Sequence, residues 1–188
     1  MKYDKTYLRN RSLLIRKKKN FLIKKKKFNL IFKFIKSNFG KKKIVIAGYY
    51  PSNHEVNILN FLEEASKRNF KIALPVIKPL NKMIFKSWSF KHPLRVSSYG
   101  ILEPGNKNKK ITPDLIMVPL VAFDDKLNRI GYGKGYYDRS LQKIIKNKKE
   151  TVSLGIAYSF QRTAIIPTNK YDFKLNYVFT EQGIISSN

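Results

Sequence analysis

The segment Asn128-Arg129-Ile130-Gly131-Tyr132-Gly133-Lys134-Gly135-Tyr136-Tyr137-Asp138-Arg139 constrains this chain more than any other, because it packs three alternate glycines, three cations and a carboxylate into one turn. It follows the apolar run Leu115-Ile116-Met117-Val118-Pro119-Leu120-Val121-Ala122-Phe123, which reads as a buried strand, and it leads into Ser140-Leu141-Gln142-Lys143-Ile144-Ile145, which reads as a helix. A glycine loop between strand and helix lets backbone N–H groups close on an oxyanion at the positive end of the helix dipole. Without Cβ atoms at every second position the backbone turns sharply and approaches a phosphate closely. A lone Gly-x-Gly-x-Gly is as readily a plain tight turn. Here Arg129, Lys134, Asp138 and Arg139 flank it and favour phosphate chemistry. The spacing fits neither the dinucleotide fingerprint nor the P-loop.

Around this loop the apolar pattern alternates between two periods. Residues 43–49, 71–76, 115–122, 152–158 and 176–180 read as strands, 83–90 alternates inward and outward, and 56–68 carries Ile58, Leu59, Leu62 and Ala65 at helical spacing. Strands separated by helices imply parallel crossovers. The expected fold class is α/β, with three layers and a mainly parallel sheet carrying helices on both faces. Sites in such sheets lie beyond the carboxyl ends of the strands, where the glycine loop, Tyr50 and Glu55 fall. At 188 residues the chain suits a single domain. Residues 1–40 are expected to be a basic helical part of that domain. Leu8, Ser12, Ile15 and Leu22 recur at helical spacing, as do Phe28, Ile31, Phe32, Ile35 and Phe39, so two amphipathic helices are expected, the second ending near Gly40.

From Asp114 to Arg139 the chain resembles the signature of the 5-formyltetrahydrofolate cyclo-ligase family, also called 5,10-methenyltetrahydrofolate synthetases. A strand with Asp-Leu-Ile-x-Val-Pro is followed by Val-Ala-Phe-Asp and then by Asn-Arg-Ile-Gly-x-Gly-x-Gly-Tyr-Tyr-Asp-Arg. The resemblance extends in order along nearly the whole chain. It includes Lys5-Thr6-Tyr7-Leu8-Arg9, Tyr49-Tyr50-Pro51 with Glu55, Leu74-Pro75-Val76, Met83 with Phe85, and Gly100-Ile101 with Glu103-Pro104. Gly155-Ile156-Ala157-Tyr158 with Gln161, Pro167, Asp172 and Thr180-Glu181 completes it. Asn57-Ile58 departs from the family, which more often has an acid or Asn followed by Thr, and this bears on a minor pocket contact.

The resemblance implies an enzyme that converts 5-formyltetrahydrofolate to 5,10-methenyltetrahydrofolate with ATP, releasing ADP and phosphate through a phosphorylated formyl group. It implies an ATP site formed by Lys5, Thr6, Tyr7, Leu8 and Arg9 with Arg129, Ile130, Gly131, Tyr132, Gly133, Lys134, Gly135, Tyr136 and Tyr137. Arg129, Lys134 and Tyr136 are the implied catalytic group. The folate is expected against Tyr50, Glu55, Tyr132, Gly133, Lys134, Gly135 and Tyr136, with Met83 and Trp88 as further apolar or stacking surface. Mg²⁺ is the expected cofactor, with Asp138 as first ligand and Asp172 as second, directly or through water. Several candidate residues also have a plainer reading. Asp138 suits a helix N-terminus, Asp172 a turn, Glu55 the first turn of a helix, and Arg139 a helix surface.

Composition bounds the remaining classes. With no cysteine and only His54 and His92, the chain has no disulfide, thiolate nucleophile or Cys-based zinc site. Lys33 and Lys36 interrupt the best membrane-span candidate, and the lysine-rich start lacks the apolar core of a signal peptide. A cytoplasmic monomer acting on ATP and the folate is expected, without membrane or specific nucleic-acid partner. The net charge of +27 competes with this expectation, since residues 1–43 hold 17 of the 39 Lys and Arg and one acid, Asp4. Runs such as Arg16-Lys17-Lys18-Lys19 and Lys24-Lys25-Lys26-Lys27, interleaved with Phe21, Phe28 and Phe32, fit the alternative of a nucleic-acid-binding protein. A shared excess of Lys, Asn, Ile, Phe and Tyr is equally what A/T-rich coding produces, and a phosphate-backbone reader more often uses Arg.

Overall fold

In the computed structural model, which describes residues 4–80, 82–97 and 100–187, the chain begins with helix α1 (Lys5–Lys19). Asp4 caps it by accepting from the Tyr7 N–H at 2.7 Å, and its cationic last turn matches the negative end of the helix dipole. The helix stops before Leu22, contrary to the periodicity. Asn20 turns its side-chain amide back onto the Arg16 and Lys17 carbonyls at 3.2 and 2.9 Å, satisfying groups that a further turn would have used. Leu22 is left 71% exposed, and Ile23 enters the core instead. A 3₁₀ turn (Lys25–Phe28) then leads into α2 (Asn29–Phe39), which ends at Gly40 with φ +61. The left-handed Gly cap is where the sequence put it.

The strands follow as β1 (Val45–Ala47), β2 (Lys71–Lys78), β3 (Lys82–Trp88), β4 (Leu94–Val96), β5 (Leu102–Pro104), β6 (Leu115–Pro119), β7 (Ala122–Phe123), β8 (Arg129–Ile130), β9 (Val152–Ile156), β10 (Tyr177–Thr180) and β11 (Gly183–Ser186). Two more helices, α3 (Leu59–Lys67) and α4 (Tyr136–Asn147), lie between β1 and β2 and between β8 and β9. Seven strands form one sheet in the order β11-β10-β9-β6-β1-β2-β3. Its five inner strands run parallel, with β3 and β11 antiparallel at the two edges. Alternate side chains separate the two cores. Ile46, Leu115 and Met117 pack with Phe28, Ile31 and Ile35 of the α2 region and Phe61, Leu62 and Ala65 of α3, whereas Ala47, Ile116 and Val118 pack with Leu141 of α4. The expected three layers are therefore present.

Two differences bear on the site. The run 115–123 is not one strand, because β7 leaves the sheet after Pro119 and pairs with β8 as an antiparallel hairpin. The glycine loop thus leaves a hairpin rather than the central strand. Helix α4 begins at once, with Gly135 in the left-handed conformation at its N-cap, so Tyr136, Tyr137 and Asp138 form its first turn. The β4–β5 hairpin and β11 had no alternating run long enough to mark them.

Close packing in the sheet gives a test. A Cβ at Gly155 of β9 would lie 2.6 Å from Leu175 Cδ1, 2.8 Å from Leu120 Cδ2 and 3.1 Å from Val178 Cγ2. Gly155→Ala is expected to lower stability by about 1–3 kcal/mol through overpacking. Urea unfolding reads this directly, and an unchanged midpoint would show that the core relaxes around the methyl group.

Candidate active site

A cavity of about 680 Å³ opens where the glycine loop, the first turn of α4, α1 and the segment after β1 meet. Each glycine of the loop lies under a guanidinium. A Cβ at Gly131 would fall 2.9 Å from Arg129 Nη1, one at Gly133 3.4 Å from Arg9 Cζ, and one at Gly135 2.7 Å from Arg139 Nη1. Gly133 and Gly135 also have φ of +94 and +64, a region that residues with a Cβ rarely adopt. Two reasons for glycine therefore coincide in one turn: backbone conformation and close approach of cations.

The cations come from separate elements. Arg9 Nε donates to the Gly131 carbonyl at 2.8 Å, and Arg139 Nη2 donates to the Lys134 carbonyl at 2.8 Å. Arg129, only 8% exposed, donates from Nη2 to Asp138 Oδ1 at 2.7 Å, and the same oxygen accepts the Phe173 N–H at 3.1 Å. Lys5 pairs with Asp172, whose Oδ2 also accepts the Asn169 N–H at 2.6 Å. Lys134 lines the cavity with these groups. The lining around the glycine loop is strongly cationic and suited to an oligophosphate. Asp138 and Asp172 both line it, each already engaged by a cation.

The same lining also includes Tyr49, Tyr50, Ser52, Asn53, Glu55, Met83 and, from the glycine loop itself, Tyr132. Glu55 is not in a helix. It closes a turn in which Oε2 accepts the Ser52 N–H at 2.9 Å and its own N–H returns to the Ser52 carbonyl at 2.8 Å, while α3 starts only at Leu59. Burial raises the Glu55 pKa, although hydrogen bonding from Ser52 and Tyr132 and the Arg16 charge pull it down. Burial likewise pushes the Tyr132 phenol up to about 12 and raises those of Tyr49 and Tyr137. These phenols stay protonated donors at neutral pH. Among the described residues, the buried atoms Arg16 Nε, Arg129 Nε and Tyr137 Oη have no hydrogen-bond partner.

Most residues that the sequence singled out converge here, and some do not. Lys5, Arg9, Tyr50, Glu55 and the stretch from Arg129 to Arg139 line the cavity, as does Asp172. Thr6, Tyr7 and Leu8 do not. Thr6 and Tyr7 are exposed on other faces of α1, and Leu8 is buried against Val121, Ala122, Ile130 and Ile166. Trp88 packs on the core side with Phe90 and donates from Nε1 to the His92 carbonyl at 3.0 Å, so it is absent from the lining. Neither histidine contributes a side chain to the lining. Sequence reasoning missed Arg16, which it had read only as part of the cationic run Arg16-Lys17-Lys18-Lys19 and which is 1% exposed. The available signal was the spacing 5, 9, 16, which places the three cations within about 40° of one another around a helix.

Comparisons with known proteins agree with the residue pattern. The model of the 5-formyltetrahydrofolate cyclo-ligase family matches residues 2–181. The 5-formyltetrahydrofolate cyclo-ligase of Haemophilus influenzae is 32% identical over 136 residues, covering 69% of this chain and 72% of that protein. Its namesake from Escherichia coli K12 is 28% identical over 145 residues, covering 74% and 79%. The NMR structure of Aquifex aeolicus 5,10-methenyltetrahydrofolate synthetase superposes with a TM-score of 0.78 at 28% identity, covering 98% of this chain and 93% of that one. A 5,10-methenyltetrahydrofolate synthetase from Mycoplasma pneumoniae gives 0.69 at 25% identity, covering 95% and 99%.

The Glu55 environment makes the site a local burden on stability. Its pKa in the folded chain is raised, so the favourable contribution of the protonated form is fully present below the unfolded pKa and is lost as pH rises through the folded pKa. Glu55→Gln is therefore expected to raise the urea midpoint at pH 7 and to flatten the dependence of stability on pH in the acidic range. A lower midpoint at pH 7 would show that the Ser52 hydrogen bonds outweigh the burial of the charge.

Proposed function

The chain belongs to the 5-formyltetrahydrofolate cyclo-ligase family, and we propose that it closes the N5-formyl group of 5-formyltetrahydrofolate onto N10 at the expense of ATP. The observation that carries this reading is that one cavity is lined both by the cations around the glycine loop and by the Glu55 carboxylate with the phenols of Tyr50 and Tyr132. The reaction brings together two molecules of matching character, an oligophosphate and a pterin with several N–H donors.

An N5-formyl group is an amide, and its oxygen is a poor leaving group. In the proposed reaction the formyl oxygen attacks the γ-phosphorus of ATP, the bond from that phosphorus to the β,γ-bridging oxygen breaks, and ADP leaves. The activated carbon is then attacked by N10, which loses its proton. The C–O bond breaks next, phosphate departs, and the methenyl bridge remains. Phosphoryl transfer depends on alignment and charge neutralisation rather than on covalent help. Arg9, Arg129 and Lys134 supply the charge, and the backbone of residues 131–135 supplies the close approach. Tyr136, in the first turn of α4, lies at the cavity wall where the two substrates would meet. The Glu55 carboxylate accepts from the pterin's amino and ring N–H groups, with Tyr50 and Tyr132 beside it.

The donor set fits a magnesium ion that takes most of its ligands from phosphates and water. Asp138 and Asp172 are the carboxylates that would hold it, and no cluster of three acidic or histidine groups occurs among the described residues. The ion would neutralise phosphate charge as ATP reacts. Asp138 Oδ1 accepts from both Arg129 Nη2 and the Phe173 N–H. A shared carboxylate of this kind reads as much as the anchor of Arg129 as a metal ligand.

Methenyltetrahydrofolate absorbs in the near ultraviolet, so the reaction is followed directly. The absorbance is expected only when the purified protein, 5-formyltetrahydrofolate, ATP and a divalent cation are all present; product formed without ATP overturns the proposed activation. Asp138→Asn is expected to raise the KM for Mg-ATP and to leave folate binding measurable. Glu55→Gln does the reverse, because the amide offers donors to donors, and its folate affinity is expected to fall about tenfold to hundredfold, from a buried mismatch of about 1–3 kcal/mol. If both variants weaken the same substrate, the assignment of Asp138 and Glu55 to different substrates is wrong.

A further inference from the structure

Arg16 is the most thoroughly buried cation among the described residues, and the reaction as proposed does not use it. Its guanidinium gathers three elements that are distant in sequence. Nη1 donates to the Leu120 carbonyl at 3.0 Å, where the chain leaves the sheet after β6. Nη2 donates to the Asn53 carbonyl at 2.9 Å and to the Tyr132 hydroxyl, and the guanidinium carbon lies 5.5 Å from the centre of the Tyr132 ring.

Two of these partners are themselves unusual. Asn53 and His54 are consecutive residues with φ of 46 and 62, a left-handed pair that leads directly into Glu55. Such a conformation persists only where its surroundings impose it, and the Arg16 contact to the Asn53 carbonyl is a restraint from outside the turn. Tyr132 sits between two glycines on the loop and is 39% exposed, so the Arg16 contact to its hydroxyl is a restraint from outside the loop. A planar fork of donors suits this task better than an ammonium does, because it engages several carbonyls at once in fixed directions.

We propose that Arg16 is the positioning residue of the folate side of this site, holding the Glu55 turn and the Tyr132 ring in one arrangement against the glycine loop. The inference rests on the reading of that side as the pterin pocket. Lys5 and Arg9, from the same face of α1, reach the phosphate side. One helix thus serves both substrates with different cations. Glu55 is faced by Arg16 of α1, Tyr132 of the glycine loop, Ser52 of its own turn, and Tyr49 and Tyr137 behind it. Arg16 is the cation named among them and helps to hold the carboxylate ionised.

The test compares Arg16→Lys, Arg16→Gln and Tyr132→Phe with the parent in steady-state kinetics and in direct titrations with folate and with Mg-ATP. Arg16→Lys and Tyr132→Phe are expected to raise the folate KM and Kd about tenfold, equivalent to about 1.4 kcal/mol, with the ATP KM within about twofold of the parent. The double variant Arg16→Lys/Tyr132→Phe is expected to lose less than the product of the two separate losses, as coupled groups do. In Arg16→Gln the acid limb of folate binding is expected to move to higher pH, because Glu55 loses a charge that favours its ionised form. Parallel losses for both substrates, or additive losses in the double variant, would reduce Arg16 to a structural residue and overturn the proposal. If the Arg16 variants fail to fold, Tyr132→Phe decides alone, and an unchanged folate KM there overturns it. A parent that binds folate without forming product defeats the proposed activity and leaves the titrations to judge Arg16; a parent that binds no folate defeats both.

Discussion

The ion pair between Arg129 and Asp138 sets the shape on which the rest of the site depends. Arg129 stands on β8 before the glycine loop, and Asp138 stands in the first turn of α4 after it, so the pair at 2.7 Å clamps the loop across its two ends. Asp138 also accepts the Phe173 N–H, which brings the segment before β10 into the same clamp. A part-buried pair of this kind adds little net stability compared with an apolar replacement, yet removing one partner leaves the other charge poorly compensated. Its value is geometric. With the clamp closed, the loop has to turn over a few residues, Gly133 and Gly135 adopt positive φ, and Arg9 and Arg139 can lie against bare backbone.

From that constraint the polarity of the cavity follows. Guanidinium groups from α1, β8 and α4 converge on the loop because each glycine leaves space for one of them. The carboxylates nearby pair with cations, Asp138 with Arg129 and Asp172 with Lys5, and offset part of this charge. Around Glu55 burial works in the opposite direction. It opposes ionisation of Glu55 and of the phenols around it, leaving one acceptor-rich carboxylate among donor hydroxyls. A ligand with N–H donors and a flat apolar face meets its complement there, and one with several negative charges meets its complement at the loop.

Much of this was legible in the sequence because it is local. The strand runs, the Gly40 cap and the glycine loop are each encoded within a few residues, and the family pattern fixed which scattered residues belong together. What escaped depends on tertiary geometry. The split of the run 115–123 into β6 and a separate hairpin leaves no mark in hydrophobicity, since Leu120, Val121, Ala122 and Phe123 are all buried in either case. The end of α1 was set by the side chain of Asn20 rather than by the apolar period that suggested Leu22. Glu55 looked like the start of a helix because Val56 and Ile58 are apolar, whereas those residues fill the core from a turn. Trp88 belongs to the core for a similar reason, lying on the face of β3 away from the cavity.

Arg16 marks the limit of composition as a guide. It opens the run Arg16-Lys17-Lys18-Lys19, where a count of charge treats four residues alike, yet the three lysines are exposed and the arginine is enclosed. The aromatic residues interleaved with the next run divide in the same way, since Phe28 is core and Phe21 is 45% exposed. Exposed lysines act through solvent, where a charge is felt over about 8 Å at physiological salt. Their summed field attracts anions in general, an effect that fades as salt rises. Arg16 acts through fixed hydrogen bonds to Leu120, Asn53 and Tyr132, which salt barely screens. Two kinds of positive charge thus share one stretch of sequence. One kind attracts anions through solvent, and the other decides the geometry that a ligand finds.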